Sequence, residues 1–204
     1  MSAREEILGR VRAALADGPE VPTAEEASAP RRTVGPSVDV VSLFCERVAD
    51  YRAQVERCSA DELARRVAAA LPAGARVVVP ADLDLGVAGA VVDDPPSGHV
   101  LSAADLDAVD AVVTRARLGI AETGTVVLDH GPGQGRRAIT LVPDRHVCIV
   151  EARHVVADVP DAVAALDSSR PQTWISGPSA TSDIELDRVE GVHGPRHLHV
   201  IVVA

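Results

Sequence analysis

The sequence predicts an α/β fold, with a largely parallel sheet flanked by helices. Short Val- and Ile-rich runs bounded by Gly, Pro or polar residues recur along the chain, as they do in strands buried on both faces. Stretches with apolar residues three and four apart lie between several of these runs, which is the pattern of strands alternating with helices. Ligands of such sheets gather beyond the carboxyl ends of the strands.

Each element has its own local reason. Ser2 and Glu5 form a capping-box pair, and Ile7, Leu8, Val11, Ala14 and Leu15 then recur at helical spacing up to Gly18-Pro19. Pro19, Pro22, Pro30 and Pro36 fall among small and polar residues, so 17–37 reads as a loose tether. The expected organisation is an N-terminal helix and linker over 1–37 and an α/β domain over 38–204. The first helix is expected to dock on its own domain or on another chain.

Val41, Phe44, Val48, Tyr51 and Val55 keep a helical spacing over four turns. Ser59 and Glu62 open a further helix, with Leu63, Val67 and Leu71 inward and Pro72-Ala-Gly ending it. Arg76–Pro80 reads as a buried strand. Similar runs occur at Gly89–Val92, Ala111–Thr114, Thr125–Leu128, His146–Val150, Thr173–Ser176 and Leu198–Val203. Ala103–Val109 and Asp161–Leu166 read as helices.

Composition narrows the function. The chain has 204 residues, near the ~150 typical of one domain, so one domain with extensions is expected. A formal charge of -10 argues against a nucleic-acid binder, which needs a basic face. With only Phe44, Tyr51 and Trp174 aromatic, base-stacking platforms are lacking too. All twenty basic residues are Arg, which excludes a Walker-type phosphate loop and a lysine Schiff base. Cys45, Cys58 and Cys148 form no Cys-x-x-Cys pair, which fits a reducing cytoplasm and is too few thiols for a four-Cys iron–sulfur cluster. No apolar run is long enough for a membrane span and the charged start lacks a signal-peptide core, so a soluble cytoplasmic protein is expected.

Four segments could carry chemistry. In Leu118–Thr125, Glu122 lies among Gly and Thr beside a strand. It reads as a nucleophile or general base, or as a carboxylate satisfied by neighbouring hydroxyls. His130–Arg137 has alternating glycines but lacks the full dinucleotide fingerprint, so a hairpin between strands is expected, with Arg136 and Arg137 able to meet an anion. Trp174–Glu185 runs from a strand through Gly177-Pro178 into hydroxyls and a helix expected near Thr181 to Asp183. This is an anion cradle or simply a cap, and Asp183 and Glu185 oppose an anion. Gly191–His199 brings His193, His197 and His199 close in sequence, either as zinc ligands or as a polar rim; the spacing matches no standard zinc motif.

Gly119–Thr125, Leu141–His146, Ile175–Glu185 and Gly191–Arg196 with Leu198-His199-Val200 occur in one order over the last ninety or so residues. In that order they resemble the LUD domain, specifically the LutC/YkgG-like family of lactate utilization proteins. The resemblance implies a fold similar to the NagB/RpiA/CoA-transferase group. It also implies a part in oxidising L-lactate to pyruvate beside iron–sulfur partner proteins, with no cofactor or metal on this chain. CoA-transferases of that fold group use a Glu that becomes a covalent acyl intermediate, and Glu122 is the nearest counterpart.

The expected strand-end pocket is lined by Glu122, Thr123, Gly124, Gly177, Ser179, Thr181, Asp183, Glu185, His193, Arg196 and His199. Arg196 would pair with a carboxylate or phosphate, and Glu122 or His199 would move protons. An independent CoA-transferase-like or sugar-phosphate-isomerase-like enzyme using Glu122 is one alternative. A non-catalytic assembly subunit is the other.

Overall fold

The computed structural model describes residues 2–16, 32–181 and 189–204, which divide into one unit ending at Arg31 and another running from Arg32 to Ala204. In the first unit, α1 (Ala3–Ala16) is capped as its sequence dictates. Ser2 N donates to Glu5 Oε2 at 2.7 Å, and Glu5 N donates back to Ser2 Oγ at 3.3 Å. Most of the expected tether, residues 17–31, lies outside the described residues. Residues 32–34 belong to the second unit: Thr33 N and Val34 N donate to Asp158 Oδ1 at 3.2 and 3.1 Å, and Arg32 pairs with Asp161 at 2.6 Å.

The second unit opens with α2 (Val40–Asp50), whose N-cap Asp39 accepts from Val41 N and Ser42 N. The helix stops five residues short of the expected Val55. Arg52 takes a left-handed φ of 64° and turns the chain into β1 (Gln54–Cys58), so Val55 is a strand residue. A 3-10 turn at Ala60–Glu62, capped by Ser59 and Glu62, leads into α3 (Leu63–Ala70). β2 (Val77–Pro80), β3 (Val91–Asp93), α4 (Ala103–Asp107) and β4 (Ala111–Arg115) follow where expected.

The stretch in which Glu122 lies among Gly and Thr is a hairpin, β5 (Leu118–Ile120) and β6 (Thr125–Leu128) joined by 121–124. The Gly-rich segment does not form the expected hairpin between strands. It runs from β6 into α5 (Arg137–Leu141). Then come β7 (Arg145–Glu151), β8 (Val155–Val156), α6 (Val159–Ala165), β9 (Thr173–Ile175), β10 (Ala180–Thr181), β11 (Val189–Glu190) and β12 (His197–Val203).

Six strands form one wholly parallel sheet in the order β1-β12-β7-β4-β2-β3. A second sheet, β8-β5-β6-β9, mixes parallel and antiparallel pairs. Side-chain alternation sorts the core into layers. Val147, Ile149, Ile201 and Val203 pack with Leu63 and Val67 of α3 on one face of the six-stranded sheet. Cys148, Val150, Val200 and Val202 pack on the other face, under Phe44 and Val48 of α2 and Val126 and Leu128 of the second sheet. The far side of the second sheet is closed by α6 through Ala162 against Ile120 and Val127. Among the described residues, no helix is long and apolar enough to cross a membrane.

Candidate functional site

Four segments meet around a cavity of about 290 Å³. His146 and Leu198 stand one residue inside the amino ends of β7 and β12, α5 contributes Arg137, Thr140 and Leu141, and the chain leaving β9 contributes Ser176 to Ser179. Residues 193–195 close the ring. The cavity thus lies at the amino edge of the parallel sheet, not at the carboxyl edge expected from the fold class.

Backbone geometry holds these walls together. Ser179 N donates to Pro195 O at 2.9 Å, Gly191 N donates to Ser179 O at 3.1 Å, and His193 N donates to Ser179 Oγ at 3.0 Å. One serine therefore ties the end of β9 to the 191–195 loop. Gly177 makes the turn at φ 84°, where a Cβ would lie 2.6 Å from Tyr51 Cβ. On the opposite side, Ser176 Oγ lies 2.8 Å from Thr125 Oγ1, which is itself 2.7 Å from Thr123 Oγ1.

His146 is the most constrained polar group of the site. Its ring is 1% exposed, and burial pushes its pKa down to about 4, so it is neutral at physiological pH. Nε2 lies 2.8 Å from Thr114 Oγ1, and that hydroxyl donates onward to Cys148 Sγ at 3.9 Å. The Thr114 hydroxyl can donate to or accept from Nε2, so this contact is compatible with a hydrogen on either ring nitrogen. Among the described residues Nδ1 has no hydrogen-bond partner, and the atom itself is fully buried. Burial likewise raises the Cys148 thiol to about 12, so it stays protonated.

Charge points the same way. No Asp or Glu lines this cavity among the described residues, although the chain carries thirty acidic side chains. Its polar lining residues are Arg137, His146, His193, Trp174, Ser176, Ser179, Thr140 and Thr173. Such a set suits an anion with an adjoining hydrogen-bonding group.

Gly177, Ser179 and His193 are the expected site residues that the structure brings together here. Thr123 reaches the edge only through Thr125 and Ser176. Gly124, at φ 58°, serves close packing: a Cβ there would lie 2.6 Å from the Arg47 carbonyl carbon. Glu122 lies elsewhere, with its N donating to Ala157 O and its Oε1 accepting from Thr33 Oγ1. Arg196 pairs bidentately with Asp144, Nε to Oδ1 at 2.5 Å and Nη2 to Oδ2 at 3.0 Å.

His199 shares strand parity with Ile201 and Val203, which puts it on the α3 face of the sheet. There its Nε2 lies 3.0 Å from Glu56, whose second oxygen takes Arg66 at 3.1 Å. Thr181 belongs to β10, paired with Val189, where a helix start was expected. Asp183 and Glu185 lie outside the described residues. Among the described residues, no group of three or more His, Cys, Asp or Glu could hold a metal ion.

Sequence reasoning missed Thr140 and His146, and it read Arg137 as able to meet an anion without placing it in the expected pocket. The signal for His146 was present: a histidine inside an otherwise apolar strand needs a polar partner or a ligand. A larger cavity of about 490 Å³ lies at the carboxyl ends of β2 and β3, with Asp82, Asp93, Asp94, His130, Arg136 and Arg170 in its wall. Arg136 holds Asp93 through Nε at 2.8 Å and Nη2 at 3.0 Å, and His130 Nδ1 lies 3.0 Å from Gly135 O.

The model of the LUD domain matches residues 41–203, nearly the whole second unit. The chain belongs to the LUD domain family. It is 48% identical over 173 residues to a lactate utilization protein C of Deinococcus radiodurans, covering 81% of this chain and 80% of that one. It is 31% identical over 176 residues to a lactate utilization protein C of Geobacillus kaustophilus, covering 76% and 72%. A crystal structure of a DUF162 family protein from Deinococcus radiodurans superposes with a TM-score of 0.69 at 40% identity, covering 83% of this chain and all of the other.

Proposed function

We propose that this LUD-family protein works in L-lactate utilization, in the cytoplasm, as the component of a lactate-to-pyruvate oxidation system that carries no iron–sulfur cluster itself. The observation that carries this reading is the 48% identity, over 81% of the chain, to a protein named for lactate utilization. The cavity agrees with it, because a guanidinium among imidazoles and hydroxyls suits a small carboxylate.

Oxidising lactate to pyruvate releases two electrons and two protons, and the electrons need an acceptor. Cys45 and Cys148 belong to one face of the sheet and Cys58 to the other, so this chain's thiols do not assemble a cluster site. Iron–sulfur partner proteins would take the electrons. A CoA-transferase-like reading gains nothing from the geometry, since Glu122 is engaged with Thr33 and lines neither cavity described above.

Deleting the gene tests the proposal. Growth on L-lactate as sole carbon source should be lost and should return with the intact gene, while growth on pyruvate is unchanged. Undiminished lactate growth, or full lactate oxidation by the purified partners alone, would contradict it.

A further inference from the structure

Strand order decides where the carboxyl edge of the six-stranded sheet opens. From β2 the chain moves outward to its neighbour β3, whereas from β4 it moves the other way, to β7. β2 and β4 are paired side by side, so the connections part between them and leave a crevice beyond their carboxyl ends. The Gly-rich segment comes down onto that crevice. Arg115 N donates to Gly133 O at 2.7 Å, a Cβ on Gly133 would lie 3.1 Å from the Arg115 side chain, and one on Gly135 would lie 3.1 Å from Pro80 Cβ.

A third cavity, of about 380 Å³, lies here. Asp84 enters its wall after β2, Arg115 and Arg117 at the end of β4, and Glu151, Arg153 and His154 at the end of β7. Arg115 and Glu151 neutralise each other, Nη1 to Oε1 at 2.7 Å. Arg117 is held loosely: its Nε stays 3.7 Å from Asp129 Oδ2, and Nη2 donates to Ala165 O at 3.5 Å. Arg153 is solvent-exposed and makes no hydrogen bond or ion pair among the described residues. Burial first, then the Arg153 and Arg117 guanidiniums, lower the His154 pKa, and the Glu151 carboxylate does not offset them. The field at that ring is therefore positive, in a chain whose formal charge is -10. Asp84, also exposed, opposes it from the β2 side.

We infer that this carboxyl-edge cavity binds a phosphate group, as the free anion or as a small phosphomonoester, with Arg117 and Arg153 as its two cationic anchors. Two guanidinium forks can each take a pair of oxygens from a tetrahedral oxyanion, whereas a carboxylate offers only one such pair. The volume falls within the roughly 300–1,000 Å³ of small-molecule sites. Neither the ligand class nor the residues depend on the lactate reading.

Calorimetric titration of the full chain tests it, at neutral pH and low salt in a phosphate-free buffer, with inorganic phosphate, methyl phosphate and acetate. Phosphate should bind at one site, and acetate roughly tenfold more weakly or less. Arg153→Gln and Arg117→Gln should each weaken phosphate by roughly tenfold to a hundredfold, and Asp84→Asn should tighten it. Arg12→Gln removes the same charge from α1, in the other unit, and should leave the affinity unchanged. Methyl phosphate binding as tightly as phosphate assigns the site to a phosphomonoester, and its exclusion assigns it to the free anion.

Arg153 is on the surface, so its variant keeps the fold and decides the point if Arg117→Gln does not fold. No binding of either phosphate at millimolar concentration, acetate binding as tightly as phosphate, unchanged affinity in Arg153→Gln, or an equal loss in Arg12→Gln would each overturn the inference.

Discussion

His146 shows how one buried side chain couples stability to pH. The folded ring takes up a proton only near pH 4, against 6.5 for the unfolded chain. Between those values the unfolded state binds more protons, so stability falls as pH is lowered through the window. The slope contributed by this one ring is at most about 1.4 kcal/mol per pH unit. Urea titrations from pH 7 to 4.5 should therefore show a steeper loss for the native protein than for His146→Gln, whose amide can still reach Thr114. Parallel slopes would mean that the ring ionises in the fold as it does in water.

Asp93 is the opposite case. Burial alone would raise its pKa, but the hydrogen bonds and charge of Arg136, with the Leu101 N–H, hold it below the usual carboxylate value. Its stabilisation is thus present above the ordinary carboxylate pKa and is lost only as acid carries it through its lower folded value. Removing one member of a buried pair leaves the other uncompensated. Asp93→Asn should cost about 3–5 kcal/mol in urea unfolding at pH 7. A loss near zero would show that Arg136 finds another partner.

At the scale of elements, two close approaches seat α2 against the second sheet. A Cβ on Gly119 would come within 2.9 Å of the Phe44 ring, and one on Gly124 within 2.7 Å of the Arg47 carbonyl oxygen. Gly124→Ala combines a left-handed φ with a backbone clash, and should cost about 2–4 kcal/mol. Gly74→Ala provides the control: it shares a left-handed φ of 73° but has open space around it, so about 1–2 kcal/mol of strain is expected. Equal losses in chemical denaturation would show that the α2 contact is slack.

Elements were legible where burial is symmetrical. Runs such as Val77–Pro80 and Val147–Val150 are apolar on both faces, and nothing else in a chain of this kind has that composition. Val55 misled because its spacing from Tyr51 continues the α2 stripe by coincidence, across the turn at Arg52. β5 was hidden by Gly119, a residue that reads as a turn but is present here because the Phe44 ring leaves no room for a side chain. α5 is too short to show a period.

Across the whole molecule, the family was legible and the expected pocket only in part. Ser179, Gly177 and His193 were found because strand, turn and hydroxyls follow one another in the chain. His199 was misplaced because adjacency in sequence does not say which face of a sheet a residue takes: β12 turns His199 toward Glu56 and Leu198 toward the cavity. Arg196 looked available for a ligand, yet the partner that engages it, Asp144, lies 52 positions away. Such long-range pairings are set by register between β7 and β12, which a single sequence does not display.

The claim on which the account turns is that His146 is a buried ring kept neutral by the fold. Long-range nitrogen–proton correlation spectra of the histidine rings report this directly. In the folded protein the His146 ring should carry a single ring proton at pH 7 and stay neutral as the pH is lowered to 5, taking up a second proton only near pH 4. An imidazolium signal from this ring near pH 6.5 would contradict the account.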